Sequence, residues 1–198
     1  MKNELLENVR WSENVIVVDA DYVDSVAFNL IVNFERMIGR RIPPADMARW
    51  VECVALDGGL RQGDHETQVV LLHDKGKRAM ENFTPADYST QLDGKAFKGN
   101  LGEFVFGAYP VESLVSKEEF LVDVVSLVCN QKEVKRVMVV PDVDKCYDML
   151  RHALRHVDDD KRVTLFAMQP LTGGNFRQEI LGYSLMSALG IKADEIKE

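Results

Sequence analysis

Short, almost wholly apolar runs alternate with helical patterns along most of this chain, and this alternation constrains the fold more than any other feature. Four runs of five to seven residues are rich in Val, Leu and Ile: Asn14–Ala20, Thr67–Leu72, Arg136–Val140 and Arg162–Met168. Apolar runs without polar alternation are typical of parallel strands that are buried on both faces. The pattern therefore predicts an α/β fold, with a central, mostly parallel sheet between two layers of helices.

Helices are predicted between these runs by apolar residues at three- and four-residue spacing. Ser116 and Glu119 form a capping box before one of them, and Gly39 is a typical stop for another. The predicted helices are Val23–Ile38, Pro43 to about Asp57, a segment after Ser116 to about Asn130, a segment from Asp142 or Asp144 to Val157, and about Arg177–Leu189.

The 198 residues favour a single α/β domain over residues 1–198. Its least regular part is an insertion over about residues 74–115, which is rich in charged residues and glycine. Asp74 to Asn100 is predicted to be a loop with one or two short helices. Glu103 to Tyr109 alternates loosely between apolar and polar residues, which indicates an extra edge strand or a hairpin.

Charge and cysteine content limit the functional classes. The formal net charge is −8, which argues against broad non-specific binding of nucleic acid but is compatible with a small basic groove beside an acidic metal site. Three cysteines in apolar runs predict buried free thiols and a reducing compartment. Met1 to Trp11 shows no signal peptide, and no apolar run reaches the length of a membrane span. We therefore expect a cytoplasmic protein with no membrane partner.

Carboxylates stand where the predicted strands end. Asp19 and Asp21 follow the first strand, and Asp142 and Asp144 follow the strand Arg136–Val140. Ligands of such folds bind beyond the carboxyl ends of the strands, so these acids are expected to converge. Asp123 borders the apolar side of its predicted helix, where an acid is costly unless it is paired or bound to a metal.

Converging carboxylates repel one another, and a divalent cation relieves this repulsion. Hard oxygen ligands suit Mg²⁺ or Mn²⁺, which can orient a water for phosphoryl displacement. Helix capping is the alternative explanation for Asp142, Asp144 and Asp24, and solvation is the alternative for Asp123. Asp19 is the hardest acid to explain in this way, because it follows four apolar residues.

Five segments of the chain together suggest a family. They are Val15–Asp19 (VIVVD), Phe120–Val125 (FLVDVV), Lys135–Val140 (KRVMVV), Pro141–Asp144 (PDVD) and Lys161–Phe166 (KRVTLF). These segments resemble the NYN branch of the PIN-like nucleases. In that family a first strand ends in D-G-x-N, a helix carries an acid, and a strand runs into S-G-D-S-D-F before a helix and a further strand.

The resemblance implies a PIN/Rossmann-like fold and a metal-dependent RNA phosphodiesterase. Transferred residue by residue, it implies that Asp19, Asp123, Asp142 and Asp144 are the catalytic and metal-binding residues, with Mg²⁺ or Mn²⁺ as the cofactor and RNA as the partner. It extends over Val15–Asp19 and Phe120–Met168 and leaves the middle of the chain unaccounted for.

The chain departs from the family at the polar neighbours of these acids. Tyr22 stands where the family has Asn, Val140 and Pro141 replace the Ser and Gly, and Lys145 replaces the Phe. Loss of the Gly restricts the backbone at a position of close approach. Two hypotheses follow: a metal-dependent RNA phosphodiesterase, and a non-catalytic α/β module that acts through a protein partner or as a homo-oligomer.

Three weaker patterns complete the sequence analysis. The stretch Asp19–Val23 also resembles the D-x-D start of haloacid-dehalogenase-type phosphatases, but a helix pattern begins where that family has a flap. His152 and His156 have metal-ligand spacing, yet they alternate with Arg151 and Arg155, which favours a solvated cationic face that contacts phosphate. Gly173-Gly174-Asn175 is either a simple connection or a turn that offers N–H groups to an anion.

Overall fold

A computed structural model describes residue 6, residues 8–112 and residues 116–196. The strands are β1 (Asn14–Asp19), β2 (Ala45–Asp46), β3 (His65–Asp74), β4 (Phe83–Thr84), β5 (Ala96–Gly99), β6 (Gly102–Val111), β7 (Arg136–Val140), β8 (Arg162–Ala167) and β9 (Arg177–Ile180). The helices are α1 (Ala20–Ile38), α2 (Met47–Asp57), α3 (Lys117–Cys129), α4 (Val143–Leu154) and α5 (Leu181–Ala188), with a π-helical turn at Tyr88–Leu92 and a 3₁₀ turn at Ala193–Glu195.

A seven-stranded sheet with the order β5-β6-β3-β1-β7-β8-β9 forms the centre of the fold. Only β5 runs antiparallel to its neighbour, and β2 pairs with β4 apart from the main sheet. The predicted α/β fold with a mostly parallel central sheet is therefore confirmed. From β1 the chain adds β3 and β6 on one side and then crosses to add β7, β8 and β9 on the other. The strand order thus reverses between β1 and β7, which is where such sheets bind ligands.

Alternate residues of β1 pack into different helix layers, because successive side chains of a strand point to opposite faces. Ile16 and Val18 join a buried cluster with α1, α2 and α5. Val15 and Val17 join a second buried cluster with α3 and α4. This division explains why β1 is apolar throughout, and it makes the molecule a three-layer α/β/α sandwich.

The structure confirms two predicted helix ends and the predicted burial of two of the three thiols. Gly39 ends α1 in the left-handed conformation, with φ 72°, and its N–H donates to the Glu35 carbonyl. Ser116 caps α3 by accepting a hydrogen bond from the Glu119 N–H. The three cysteines are free thiols, of which Cys129 and Cys146 are buried as predicted and Cys53 is only half-buried.

The two largest boundary errors concern the last helix and the second helix. Arg177–Ile180 is an edge strand, β9, and not the start of the last helix, which begins at Leu181. An edge strand is exposed, so its polar residues carry no strand-like apolar pattern. The second helix begins at Met47, where Asp46 caps it, and not at Pro43.

The insertion is more ordered than predicted. The predicted extra strand is β6, which pairs in parallel with β3 over ten residues and forms a hairpin with β5. β6 therefore lies next to the edge strand and not at the edge. The turn at Tyr88–Leu92 is the one short helix that lies within 74–112, and residues 113–115 of the predicted insertion lie outside the described part of the chain. Among the residues that the structure describes, no helix is long and apolar enough to cross a membrane.

Candidate functional site at the carboxyl end of the sheet

Acidic side chains gather where β1 and β7 end, which is the point of strand-order reversal. We call Asp19, Asp21, Glu118, Asp142 and Asp144 the acidic crest. Asp19 is the last residue of β1 and is only 2% exposed. Its Oδ1 accepts a hydrogen bond from the Tyr22 N–H at 3.1 Å, so it caps α1. The predicted burial of Asp19 is confirmed, whereas the predicted capping role of Asp24 is wrong.

Asp24 has a different structural task. It is buried and accepts hydrogen bonds from the Glu81 N–H at 3.0 Å and the Asn82 N–H at 2.8 Å. These bonds tie the segment after β3 to α1. The helix itself starts at Ala20, directly after β1, so the chain has no room at this point for the flap of the dehalogenase-type phosphatases.

Lys117 holds two acids of the crest together. Its Nζ lies 3.1 Å from Asp19 Oδ1 and 2.8 Å from Asp21 Oδ2. Asp21 Oδ2 also accepts a hydrogen bond from the Asp74 N–H at 2.8 Å, and Lys77 Nζ lies 3.6 Å from Asp21 Oδ1. The two carboxylates at the end of β1 thus share one lysine from the first turn of α3, and Lys77 adds a second positive charge beside Asp21.

The pKa values of this group show how burial and pairing compete. Burial raises the pKa of Asp19 above its usual range, against the opposing charge of Lys117. Burial acts in the same direction on Asp21, but hydrogen bonds from Lys117 and the Asp74 N–H, together with the charges of Lys117 and Lys77, leave the pKa of Asp21 lowered. Burial acts to lower the pKa of Lys117, yet the hydrogen bond to Asp21 and the charges of both acids raise it. Lys117 is therefore a permanent cation of the folded protein.

A second lysine bridges acids of two helices. Lys145 Nζ lies 3.8 Å from Glu118 Oε1 and 3.8 Å from Asp142 Oδ2. Asp142 occupies the N-cap position of α4, but its side chain makes no capping hydrogen bond, so capping does not account for its carboxylate. Asp144 follows in the first turn of α4 and is exposed.

Tyr22 shows that the acids after β1 and β7 converge. Burial, followed by the charges of Asp142, Asp144 and Asp19, raises the pKa of Tyr22 to about 12. Burial and the charges of Asp142, Asp19 and Glu118 likewise raise the pKa of Cys146 to about 12. Val18 pairs with Val140 at the ends of the adjacent parallel strands β1 and β7, so three of the four predicted site residues, Asp19, Asp142 and Asp144, follow these ends at the same edge of the sheet.

Asp123 lies apart from the other three. It is exposed and lies six residues after Lys117 on α3, about 9 Å further along the helix at 1.5 Å per residue. α3 runs away from the crest, because it connects the carboxyl end of β6 with the amino end of β7. The structure therefore does not bring Asp123 to the acids that follow β1 and β7.

The crest in this arrangement does not fit a divalent cation between Asp19 and Asp21, because Lys117 already places a positive charge there. Over the described ranges, no three His, Cys, Asp or Glu side chains are grouped closely enough to hold a metal ion. A metal site at Asp19, Asp123, Asp142 and Asp144 stays a prediction.

Sequence reasoning missed both bridging lysines, although each left a signal. Lys117 and Lys145 lie in the first turns of α3 and α4, where the helix dipole favours acids and disfavours cations. A lysine in a first turn is thus a sign of a partner elsewhere in the fold. Lys145 also stands at one of the positions where the chain departs from the NYN pattern.

Two of the weaker sequence patterns, the arginine-bearing face of α4 and the Gly173-Gly174-Asn175 turn, lie next to each other. A groove of about 580 Å³ is lined by Arg151, Arg155, Gly174 and Asn175. A Cβ at Gly173 would lie 3.1 Å from Arg151 Nη1, so the glycine lets the loop approach α4. His152 and His156 are exposed, and the centroids of their imidazole rings are 6.3 Å apart, as expected for a solvated face.

Comparison with known proteins adds a family and no activity. No curated protein and no solved structure matches the chain. The model of a family of unknown function, DUF6621, matches residues 8–196. The match covers almost the whole chain, which therefore belongs to the DUF6621 family.

Proposed function

We propose that this chain is a PIN/NYN-like domain that acts by making contacts and not by catalysis, with internal lysines in place of a divalent cation. The observation that carries the proposal is Lys117 Nζ within 3.1 Å of Asp19 and 2.8 Å of Asp21. Metal-dependent hydrolysis requires free carboxylate oxygens that bind the ion. An ammonium group that is already paired with these oxygens competes directly with such an ion.

The departures from the NYN pattern support the same proposal. Lys145, at the position of the family Phe, lies between Glu118 and Asp142. Tyr22, at the position of the family Asn, places a phenol among Asp19, Asp142 and Asp144, and its raised pKa keeps it protonated. At these positions the chain has a lysine that pairs with acids of the crest and a tyrosine whose pKa those acids raise, in place of the polar neighbours of a metal site.

The contact surface of this proposed module is the exposed apolar part of α1. Phe28 is 54% exposed, and Val32, which is also exposed, follows one turn later on the same side of the helix. From Phe28 to Ile38 no side chain is fully buried, although the segment is rich in large apolar residues. Exposed apolar groups of this size are typical of interaction surfaces.

The experiment is calorimetric titration of Mn²⁺ and Mg²⁺ into the wild type, Asp19→Asn and Lys117→Met, with a cleavage assay on single-stranded RNA. We expect neither ion to bind the wild type and no cleavage. We expect Mn²⁺ to raise the melting temperature of Lys117→Met, because that variant removes the lysine that pairs with both Asp19 and Asp21 and leaves only the more distant Lys77 beside Asp21. Mn²⁺ binding by the wild type that Asp19→Asn abolishes would contradict the proposal.

A metal-dependent RNA phosphodiesterase is the second candidate, and one observation favours it. Asp19 ends β1 and Asp142 and Asp144 follow the neighbouring parallel strand β7, so the three acids stand at the reversal point of the sheet, and their charges all act on Tyr22. This candidate predicts metal binding and RNA cleavage by the wild type, and loss of both in Asp19→Asn. The same titration therefore separates the two functions.

Self-association is the one contact of this kind that can be tested with the purified protein alone. We expect sedimentation velocity to show a dimer that the double substitution Phe28→Ser, Val32→Ser dissociates. Leu56→Ser is the matched control, since Leu56 is an exposed apolar residue of another helix, α2. A monomeric wild type, or equal dissociation by the control, would contradict self-association through α1.

A further inference from the structure

Four arginines gather at the opposite, amino end of the sheet. Arg136, Arg162 and Arg177 are the first residues of β7, β8 and β9, and Arg61 follows α2. Arg136 pairs directly with Arg162 across the parallel strands β7 and β8. We call Arg61, Arg136, Arg162 and Arg177 the arginine cluster.

The guanidinium groups of Arg136 and Arg177 lie beside the same glycine, Gly59. A Cβ at Gly59 would lie 2.8 Å from Arg136 Nη1 and 3.9 Å from Arg177 Nη1, so both groups border the same point. Burial, followed by the charges of Arg162, Arg177 and Arg61, lowers the pKa of Arg136. Like charges in such proximity repel one another unless an anion lies between them.

Direct ion pairs with carboxylates do not balance this charge. Among the residues with described coordinates, none of the four arginines has a carboxylate oxygen within 4.0 Å. Three acids are nearby. The charge of Glu13 acts on Arg136 from the start of β1, and Asp57 and Glu179 face each other, since burial and the charge of Glu179 raise the pKa of Asp57.

Helix capping explains only part of the cluster. Arg136 Nη1 donates to the Gly58 carbonyl at 2.8 Å, and Arg61 Nη1 donates to the Leu60 carbonyl at 3.1 Å, so both neutralise the end of α2. A guanidinium carries five N–H donors, and the buried Arg136 Nε has no acceptor among the residues that the structure describes. Arg162 and Arg177 are exposed strand residues that cap no helix.

We propose that the arginine cluster binds a phosphate group. The planar fork of a guanidinium matches phosphate oxygens with two parallel hydrogen bonds, and several arginines together favour a doubly charged anion. In a chain with a net charge of −8, a group of four cations without carboxylate partners is a local exception. The site lies across the sheet from the acidic crest, roughly 20 Å away at about 3.3 Å per strand residue, and does not depend on the function proposed for the crest.

Two probes distinguish the sources of such a phosphate. Inorganic pyrophosphate represents a compact ligand, and a short single-stranded RNA represents a phosphodiester backbone. Each is titrated in low salt into the full chain as wild type, Arg162→Gln, Arg177→Gln and Arg78→Gln. Arg78 is the matched control, because it is exposed and pairs with Asp87 at 3.0 Å elsewhere in the molecule.

We expect at least one probe to bind the wild type, with roughly tenfold weaker binding by Arg162→Gln and by Arg177→Gln and unchanged binding by Arg78→Gln. Binding of pyrophosphate alone assigns the site to a compact phosphate, and binding of RNA alone assigns it to a nucleic-acid backbone. The proposal is overturned if neither probe binds, or if the control weakens binding as much as the cluster variants. Melting temperatures of all variants verify that they fold.

Discussion

The two ends of the sheet carry opposite charges, and they treat those charges differently. At the carboxyl end, Lys117 and Lys145 each bridge two acids of the crest. At the amino end, Arg61 and Arg136 donate to carbonyls, and among the described residues none of the four arginines of the cluster forms an ion pair with a carboxylate. Charges that are paired within a protein stabilise its structure. Like charges that lie near one another without such partners favour the binding of an ion of opposite charge. The comparison therefore assigns a structural role to the acidic end and a binding role to the basic end.

The largest expected effect is that of Lys117→Met at the paired end. Removing the cation leaves the buried Asp19 without its lysine partner and leaves Asp21 with Lys77 Nζ at 3.6 Å, which we expect to lower the free energy of unfolding by about 3 kcal/mol. Urea unfolding at pH 7 measures this loss. Lys75→Met is the control, because Lys75 and Glu112 form an exposed pair for which we expect a loss of under about 1 kcal/mol. Equal losses would show that the crest is no better paired than the surface.

The pH dependence of stability tests the same ion pair through the protonation of Asp21. The pKa of Asp21 is lowered in the folded protein, so the unfolded chain binds more protons as pH falls toward the usual aspartate value. Asp21 therefore stabilises the fold above a pH of about 4 and loses this contribution below it. We expect Asp21→Asn to cost about 2 kcal/mol at pH 7 and progressively less as pH falls below about 4, as measured by urea unfolding. A cost that is independent of pH would contradict the ion pair.

Gly59→Ala tests how tightly Arg136 of the arginine cluster packs at the amino end of the sheet. Gly59 has φ 93°, a left-handed conformation that costs an L-residue about 1 to 2 kcal/mol, and its new Cβ would meet Arg136 Nη1. We expect a loss of about that size in urea unfolding and weaker pyrophosphate binding, because Arg136 must move. Gly94→Ala is the control, since Gly94 also has positive φ but no atom within 4 Å of its Cβ position. Its loss should be similar, with binding unchanged.

Sequence predicts the central strands well and the margins poorly. β7 is observed as predicted, at Arg136–Val140, because a strand that is buried on both faces must be apolar at every position. β9 was missed, since an exposed edge strand such as Arg177–Ile180 needs no apolar residue except where it meets the core. The order of β6 beside β3 depends on a pairing between segments far apart in the chain, which no local pattern encodes.

The candidate sites show the same limit. Asp19, Asp142 and Asp144 were predicted to converge because parallel strands end at one edge, and topology alone brings them together. The pairing of Lys117 with Asp21 joins residues 96 positions apart and depends on the angle at which α3 crosses the sheet. The arginine cluster left a visible signal, since β7 and β8 both open with Arg-Val, but only the strand register shows that these arginines are neighbours.

The smallest expected effects provide the most direct test of the comparison, because one positive charge is removed at each end. We expect Lys145→Gln to destabilise the fold by about 0.5 kcal/mol, since it separates Lys145 from Glu118 and Asp142. We expect Arg162→Gln to stabilise it by a similar amount, because the remaining arginines then repel one another less. Thermal unfolding at low ionic strength shows the opposite signs, and 1 M salt, with a Debye length of about 3 Å, should reduce both. Equal signs at the two ends would mean that the arginine cluster is balanced within the chain, and its charge would then no longer indicate a ligand.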